Sequence, residues 1–156
     1  MTIHILIPVF NRIKNTKQII NCLRKQIITE KMHIVVIDDG SYDGTKVWLS
    51  KQNDITILNG NSNLYWGGAI NHAINYLIKN NDLNDWVIFI NNDVLIDNDF
   101  VSNLYELAKQ NKNSAIGTVI NKSSNKSTLV SIGPIIDTWY LRVQDKLENI
   151  NKIDLL

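Results

Sequence analysis

The sequence predicts an α/β fold: a three-layer α/β/α sandwich around a mostly parallel central sheet. Three observations predict it. Short β-branched runs recur along the chain, too apolar to sit half in water. Between them lie segments whose apolar residues repeat at helical spacing. The two kinds alternate one for one, which is the pattern of βαβ units.

Ile3-His4-Ile5-Leu6-Ile7, ended by Pro8, reads as the first buried strand. Ile19, Ile20, Leu23 and Ile27 then share one helical face, with Asn15 or Thr16 placed to cap it. His33–Ile37 is the second strand, stopped by Asp38-Asp39-Gly40-Ser41. A short helix around Thr45–Leu49 leads to a third strand at Ile55–Leu58 and a loop rich in glycine and asparagine, Asn59–Gly68. Ile70, Ala73, Ile74, Leu77 and Ile78 form the stripe of the next helix. Trp86–Ile90 is the fourth strand and runs straight into Asn91-Asn92-Asp93. Phe100, Val101, Leu104, Leu107 and Ala108 mark the inner face of a further helix. Ala115–Ile120 is expected as a fifth strand, Asn121–Ser127 as a polar turn, and Thr128–Ile132 as a strand before Gly133-Pro134. There is no internal repeat.

With 156 residues the chain can bury one real core. Its 44% hydrophobic and 20% charged residues are ordinary for a globular protein, and exclude disorder as the main reading. A formal net charge of +1 gives no support for nucleic-acid binding or a polybasic membrane patch. Cys22 is the single cysteine, so no disulfide within the chain is possible, and its helical neighbours mark it as a small apolar residue. No signal peptide is read at Met1–His4, and no apolar run nears the roughly 18 residues of a membrane span. A cytoplasmic protein is expected, with peripheral attachment to the inner face of the membrane left open.

Ligands of parallel sheets bind beyond the carboxyl ends of the strands. Asn11-Arg12, Asp38-Asp39, Asn59–Asn63 and Asn91–Asp93 all fall there, so the site is expected along that edge. In Asp38–Thr45, Gly40, Ser41 and Asp43 are explained by a turn that caps the next helix. Two adjacent carboxylates are not, and Asp38 is read as an acceptor for a nucleobase N–H or a ribose hydroxyl. A calcium loop fails, because Ser50 stands where the bidentate Glu should be. Asp93 reads equally as a turn residue or as a ligand of a hard divalent cation, with Asn91 or Asn92 beside it. Gly67 and Gly68 open a helix and could admit phosphate or sugar oxygens. Tyr65 and Trp66 could equally be core aromatics, and Asn71 and His72 could be solvated. No His/Cys set suggests zinc, and no Walker, dinucleotide or Gly-x-Ser-x-Gly motif occurs.

Taken together, Ile5–Arg12, Val35–Thr45, Asn63–Asn71 and Phe89–Val94 resemble glycosyltransferase family 2, with its Rossmann-like GT-A fold, in order and approximate spacing over about residues 3–120. The resemblance implies that Pro8, Phe10 and Asn11 line a base pocket and that Asp38 bonds the base. It places Trp66, Gly68 and Asn71 along ribose and diphosphate. Asn91–Asp93 stands at the family's Asp-x-Asp motif, with Asp93 and Asn91 on Mg²⁺ or Mn²⁺ and Asn92 beside the nucleotide. Its Asn-first form resembles rhamnosyl- and galactofuranosyl-type transferases, which does not name the sugar.

The implied activity is metal-dependent, inverting transfer of a hexosyl-type sugar from a nucleoside diphosphate to a saccharide or lipid-linked acceptor, as in bacterial cell-wall or polysaccharide synthesis. The family's base lies in an acceptor-binding half well beyond Asp-x-Asp. Asp137, Asp145 and Glu148 read as surface charges, so residues 1–136 are expected to be the nucleotide-sugar-binding domain and 137–156 the start of that other half. The catalytic residue is therefore unassigned, and a partner chain or homo-oligomer could complete the site. A non-catalytic nucleotide-sugar binding module and, less so, a sugar nucleotidyltransferase are the alternatives.

Overall fold

A computed structural model of the chain describes residues 1–80, 85–111, 114–122, 125–131, 134–137 and 142–145. Two compact units, Met1–Asn103 and Leu104–Leu156, make it up.

The first unit is built on four parallel strands: β1 (Thr2–Val9), β2 (Lys31–Asp38), β3 (Ile55–Asn59) and β4 (Trp86–Phe89). Their order across the sheet is β3-β2-β1-β4. Three helices connect them: α1 (Ile13–Leu23), α2 (Thr45–Leu49) and α3 (Tyr65–Asn80). The chain steps outward from β1 to β2 to β3 through α1 and α2. It then crosses back over two strands through α3 to reach β4. Right-handed crossovers therefore put α1 and α2 on one face and α3 on the other.

Burial agrees with a sheet covered on both sides. Leu6, Val35 and Ile37 form a core with Ala69, Ala73 and Leu77 of α3, while Ile3, Ile5, Ile7, Ile34 and Val36 alternate to the opposite face and are buried too. The continuous apolar runs of β1 and β2 are thus what a two-sided environment requires.

At the amino ends of the strands His4 is almost fully buried. Its Nδ1 lies 3.0 Å from Nδ1 of His33 and its Nε2 3.0 Å from Oδ2 of Asp85. His33 Nε2 in turn meets the Thr56 hydroxyl at 2.8 Å. One polar chain thus ties β1, β2 and β3 to the residue that leads into β4.

Several expectations shift. The residue preceding α1 is Arg12, in a left-handed conformation, and neither Asn15 nor Thr16 caps the helix. Ile78 is exposed on α3. In α4 (Phe100–Gln110) the buried residues are Val101, Tyr105 and Ala108, while Leu107 faces outward, a slip within one helical turn.

In the second unit residues 114–119 carry no regular structure, so the strand expected at Ala115–Ile120 is not formed as such. Most of these residues are exposed, and β-branched composition without a surface to bury it does not make a strand. Instead β5 (Ile120–Lys122) pairs antiparallel with β6 (Asn125–Ser131), which takes in most of the strand read at Thr128–Ile132. β7 (Pro134–Asp137) pairs antiparallel with β8 (Arg142–Asp145). Ile132, Gly133 and Glu148 lie outside the described residues.

Candidate functional site

The carboxyl edge of the sheet is made of loops laced to one another. Asn11 and Arg12 leave β1 with φ of 56° and 60°, left-handed values that cost a non-glycine residue about 1–3 kcal/mol. Three hydrogen bonds from the loop after β2 hold them there. The Asn11 amide donates to Ser41 Oγ at 2.7 Å, the Tyr42 amide donates to Asn11 Oδ1 at 3.0 Å, and the Ile13 amide donates to Asp43 Oδ2 at 2.8 Å.

Asp43 also accepts from the amide and hydroxyl of Thr45, at 3.0 and 2.6 Å. One carboxylate therefore caps the amino ends of α1 and α2 together, where helix dipoles favour a negative charge. The Thr45 hydroxyl, helped by the amides of Ile13 and Thr45, holds the Asp43 carboxyl below the usual carboxylate range.

Asp38 and Asp39 turn out to have different jobs. The pleat sends Asp38 to the face away from α3, where it is 2% exposed and its Oδ1 accepts the Ser41 amide at 2.9 Å. Asp39, one residue on, faces the α3 side. Its Oδ2 accepts the amides of Leu64 and Tyr65, at 2.9 and 3.2 Å, and so caps the start of α3. Each carboxylate keeps one oxygen, Oδ2 of Asp38 and Oδ1 of Asp39, buried and without a partner among the described residues. Such an atom costs about 1–3 kcal/mol and asks for an explanation. Gly60 lies so close over Asp39 that a Cβ there would collide with its Oδ1.

At the end of β4, Asn91 Oδ1 accepts from the Trp66 indole at 2.9 Å. Asn92 is buried, its amide group donating to Thr16 Oγ1 of α1 at 3.2 Å. Asp93 Oδ2 pairs with Arg12 Nη1 at 2.8 Å, both side chains about half exposed.

These loops enclose a cleft of about 380 Å³, within the size range of small-molecule sites. Pro8, Phe10, Trp66, Asn91, Asn92 and Asp93 line it, together with Arg12, Asp39, Ser62 and Tyr65. Four residues named from the sequence stand elsewhere. Asp38 points to the other face, and Asn11 spends its side chain on the Tyr42 amide. Gly68 donates its amide to the Leu64 carbonyl at 3.0 Å, and Asn71 is exposed on α3, outside the cleft wall.

Sequence reasoning put Asp39 and Arg12 at this edge but gave neither a role of its own. Parity along β2 was the signal for Asp39: it falls on the same side as Val35 and Ile37, toward α3. Nothing in the sequence signals an ion pair between residues as far apart as Arg12 and Asp93.

Among the described residues no three His, Cys, Asp or Glu side chains gather closely enough to hold a metal ion by themselves. The cleft offers the Asp93 carboxylate and, beside it, the Asn91 carbonyl, which has a second lone pair beyond the one given to Trp66. That donor set fits a Mg²⁺ or Mn²⁺ whose other oxygens come from a diphosphate and water.

The descriptive profile of "Glycosyl transferase family 2" matches residues 4–153. A comparison with curated proteins finds no match. Among solved structures, S. aureus TarS 1–349 is similar at 21% identity and a TM-score of 0.55, covering 70% of this chain and 33% of that one. The same fragment in complex with UDP gives 20% and 0.59, over 70% and 32% of the two chains. For S. aureus TarS the values are 21% and 0.59, over 70% and 20%. The chain thus matches a third or less of each of these structures, and likeness at this identity speaks for a shared fold. With the family profile spanning nearly its whole length, the chain belongs to glycosyl transferase family 2.

Proposed function

We propose that the cleft takes the nucleoside diphosphate of an activated sugar, and that residues 1–136 are the donor-binding part of an inverting glycosyltransferase. The observation that carries this reading is Asp39. A carboxylate oxygen buried on the cleft wall without a partner suits an N–H of a nucleobase. Arg12 and Asp93 follow β1 and β4, so Asp39, after β2, stands about two strand spacings, or roughly 10 Å, from Asp93 across β1. An acceptor for the base at one end and a cation beside a carboxylate at the other suit the two ends of a nucleoside diphosphate. That one of the similar structures was solved with UDP supports the same ligand class.

In this reading Phe10 and Trp66, each about half exposed, flank the base and the sugar phosphate as flat apolar walls. An acceptor hydroxyl attacks the anomeric carbon, the nucleoside diphosphate leaves from the opposite side, and the proton passes to a base outside this cleft. Mg²⁺ or Mn²⁺, when bound, neutralises charge gathering on the leaving group. The setting would be hexosyl transfer in bacterial cell-wall or polysaccharide synthesis, in the cytoplasm or at the membrane's inner face. No helix among the described residues is long and apolar enough to cross a membrane.

Calorimetric titration with UDP, GDP and dTDP, each with and without Mn²⁺, tests the proposal. One of the three is expected to bind, and Asp39→Asn to weaken it by about 10- to 100-fold, the worth of a charge-assisted hydrogen bond. If none binds, the nucleotide reading is wrong. Turnover of a donor with added acceptor would separate a transferase from a binding module.

A further inference from the structure

Arg12 combines features that nothing in the fold demands together. Its backbone sits in the left-handed region, fixed by the bonds that Asn11 and Ile13 make to Ser41, Tyr42 and Asp43. From there its side chain crosses to the end of β4 and pairs with Asp93, on the wall of the cleft. A half-exposed pair of this kind adds little to stability. The left-handed turn thus sets a guanidinium beside the carboxylate best suited to a divalent cation.

Arg12 Nη1 already occupies Asp93 Oδ2, so a free cation must displace the guanidinium to reach that oxygen. A diphosphate changes the balance. The guanidinium has several donors in a planar fork that matches phosphate oxygens, and can leave Asp93 for them without losing its hydrogen bonds.

We propose that Arg12 is a stand-in cation, holding Asp93 closed to free divalent metal and releasing it when a diphosphate draws the guanidinium away. Metal binding is then conditional on the nucleotide. This rests on the nucleotide reading for its second half only; the first concerns Asp93 and metal alone.

The test uses Arg12→Asn, because asparagine tolerates the left-handed backbone that Arg12 adopts. Mn²⁺ alone is titrated into the protein and followed by the loss of free Mn²⁺ resonance. The variant is expected to bind it about 10-fold more tightly than wild type, and Asp93→Asn in the same background to remove the gain. Arg24→Asn, which makes the same change of net charge at the distant Arg24–Asp54 pair, should leave Mn²⁺ affinity at the wild-type value.

UDP is then titrated with and without Mn²⁺. Without metal, Arg12→Asn should bind UDP about 10-fold more weakly, and the enhancement of UDP affinity by Mn²⁺ should shrink. Equal Mn²⁺ affinity in wild type and Arg12→Asn overturns the proposal. So does a gain matched by Arg24→Asn, which would make it an effect of net charge. Tighter Mn²⁺ binding in a protein that takes no nucleoside diphosphate would uphold the closing of Asp93 and overturn the release, along with the nucleotide reading.

Discussion

The two edges of one sheet are built on opposite rules. At the amino edge the buried polar atoms are matched. Asp85 accepts the Thr2 amide at 2.7 Å through one oxygen and meets His4 through the other. Nδ1 of His4 meets Nδ1 of His33, and His33 Nε2 meets the Thr56 hydroxyl, so each ring nitrogen of the pair has a partner. The Thr2 amide and the bond from His4 hold the Asp85 carboxyl below its usual range.

At the carboxyl edge the opposite holds. Asn11, Arg12, Ser62 and Tyr65, the non-glycine residues of positive φ among those described, are all there, and so are the two orphaned carboxylate oxygens. Strain and unmet hydrogen bonding gather at the edge that holds the cleft, and are avoided at the opposite edge.

Breaking the matched edge should cost most. His4→Ala empties a buried site and strands both Asp85 and His33, for an expected loss of about 3 kcal/mol in urea unfolding. Nucleotide affinity of the folded protein should stay at the wild-type value; a parallel loss of affinity would show that the edges are not independent.

At the strained edge a Cβ on Gly40, where φ is +83°, would strike Ser62. Gly40→Ala should therefore cost about 1–2 kcal/mol of thermal stability and weaken nucleotide binding with it. An unaltered melting temperature would show that this loop yields freely.

Acid sharpens the contrast. Burial, with the neighbouring charges of His4 and Lys31, lowers the pKa of His33. Unfolded His33 takes up a proton near its ordinary value of about 6.5, while the folded side chain does so only at lower pH. Stability should thus decline as pH falls below about 6.5, read as a drop in urea midpoint between pH 7.5 and pH 5. His33→Gln should flatten that slope; an unchanged slope would place the titrating group elsewhere. The smallest effect lies on the exposed surface, where Arg24 follows α1 and Asp54 precedes β3. Arg24→Ala, which removes an exposed pair with Asp54 at 2.6 Å, should cost under about 1 kcal/mol, and less in high salt.

What could be read from the chain follows the same division. β1 and β2 were legible because their runs are apolar on both faces, and α2 at Thr45–Leu49 because a capping turn through Gly40, Ser41 and Asp43 precedes it. The edge that carries the cleft was legible from where the polar clusters fall. Which side chains enter it was less so. Asp38 and Asp39 are chemically identical, and only counting the pleat from Val35 separates them. Asp43 was read as a cap for one helix, but its second role depends on α1 starting beside it in space. Residues 114–119 misled because composition reports what a strand would bury, not whether a surface is there to bury it against.

The lacing of the first two loops bears on redesign. Asn11, Ser41, Tyr42 and Asp43 hold each other across thirty positions of sequence, and Arg12 hangs on the same knot. Exchanging only residues 38–45 with a relative, in order to reshape the cleft, would therefore also re-aim the guanidinium that pairs with Asp93. The transplantable unit is a pair of segments, about 9–13 and 38–45, moved together.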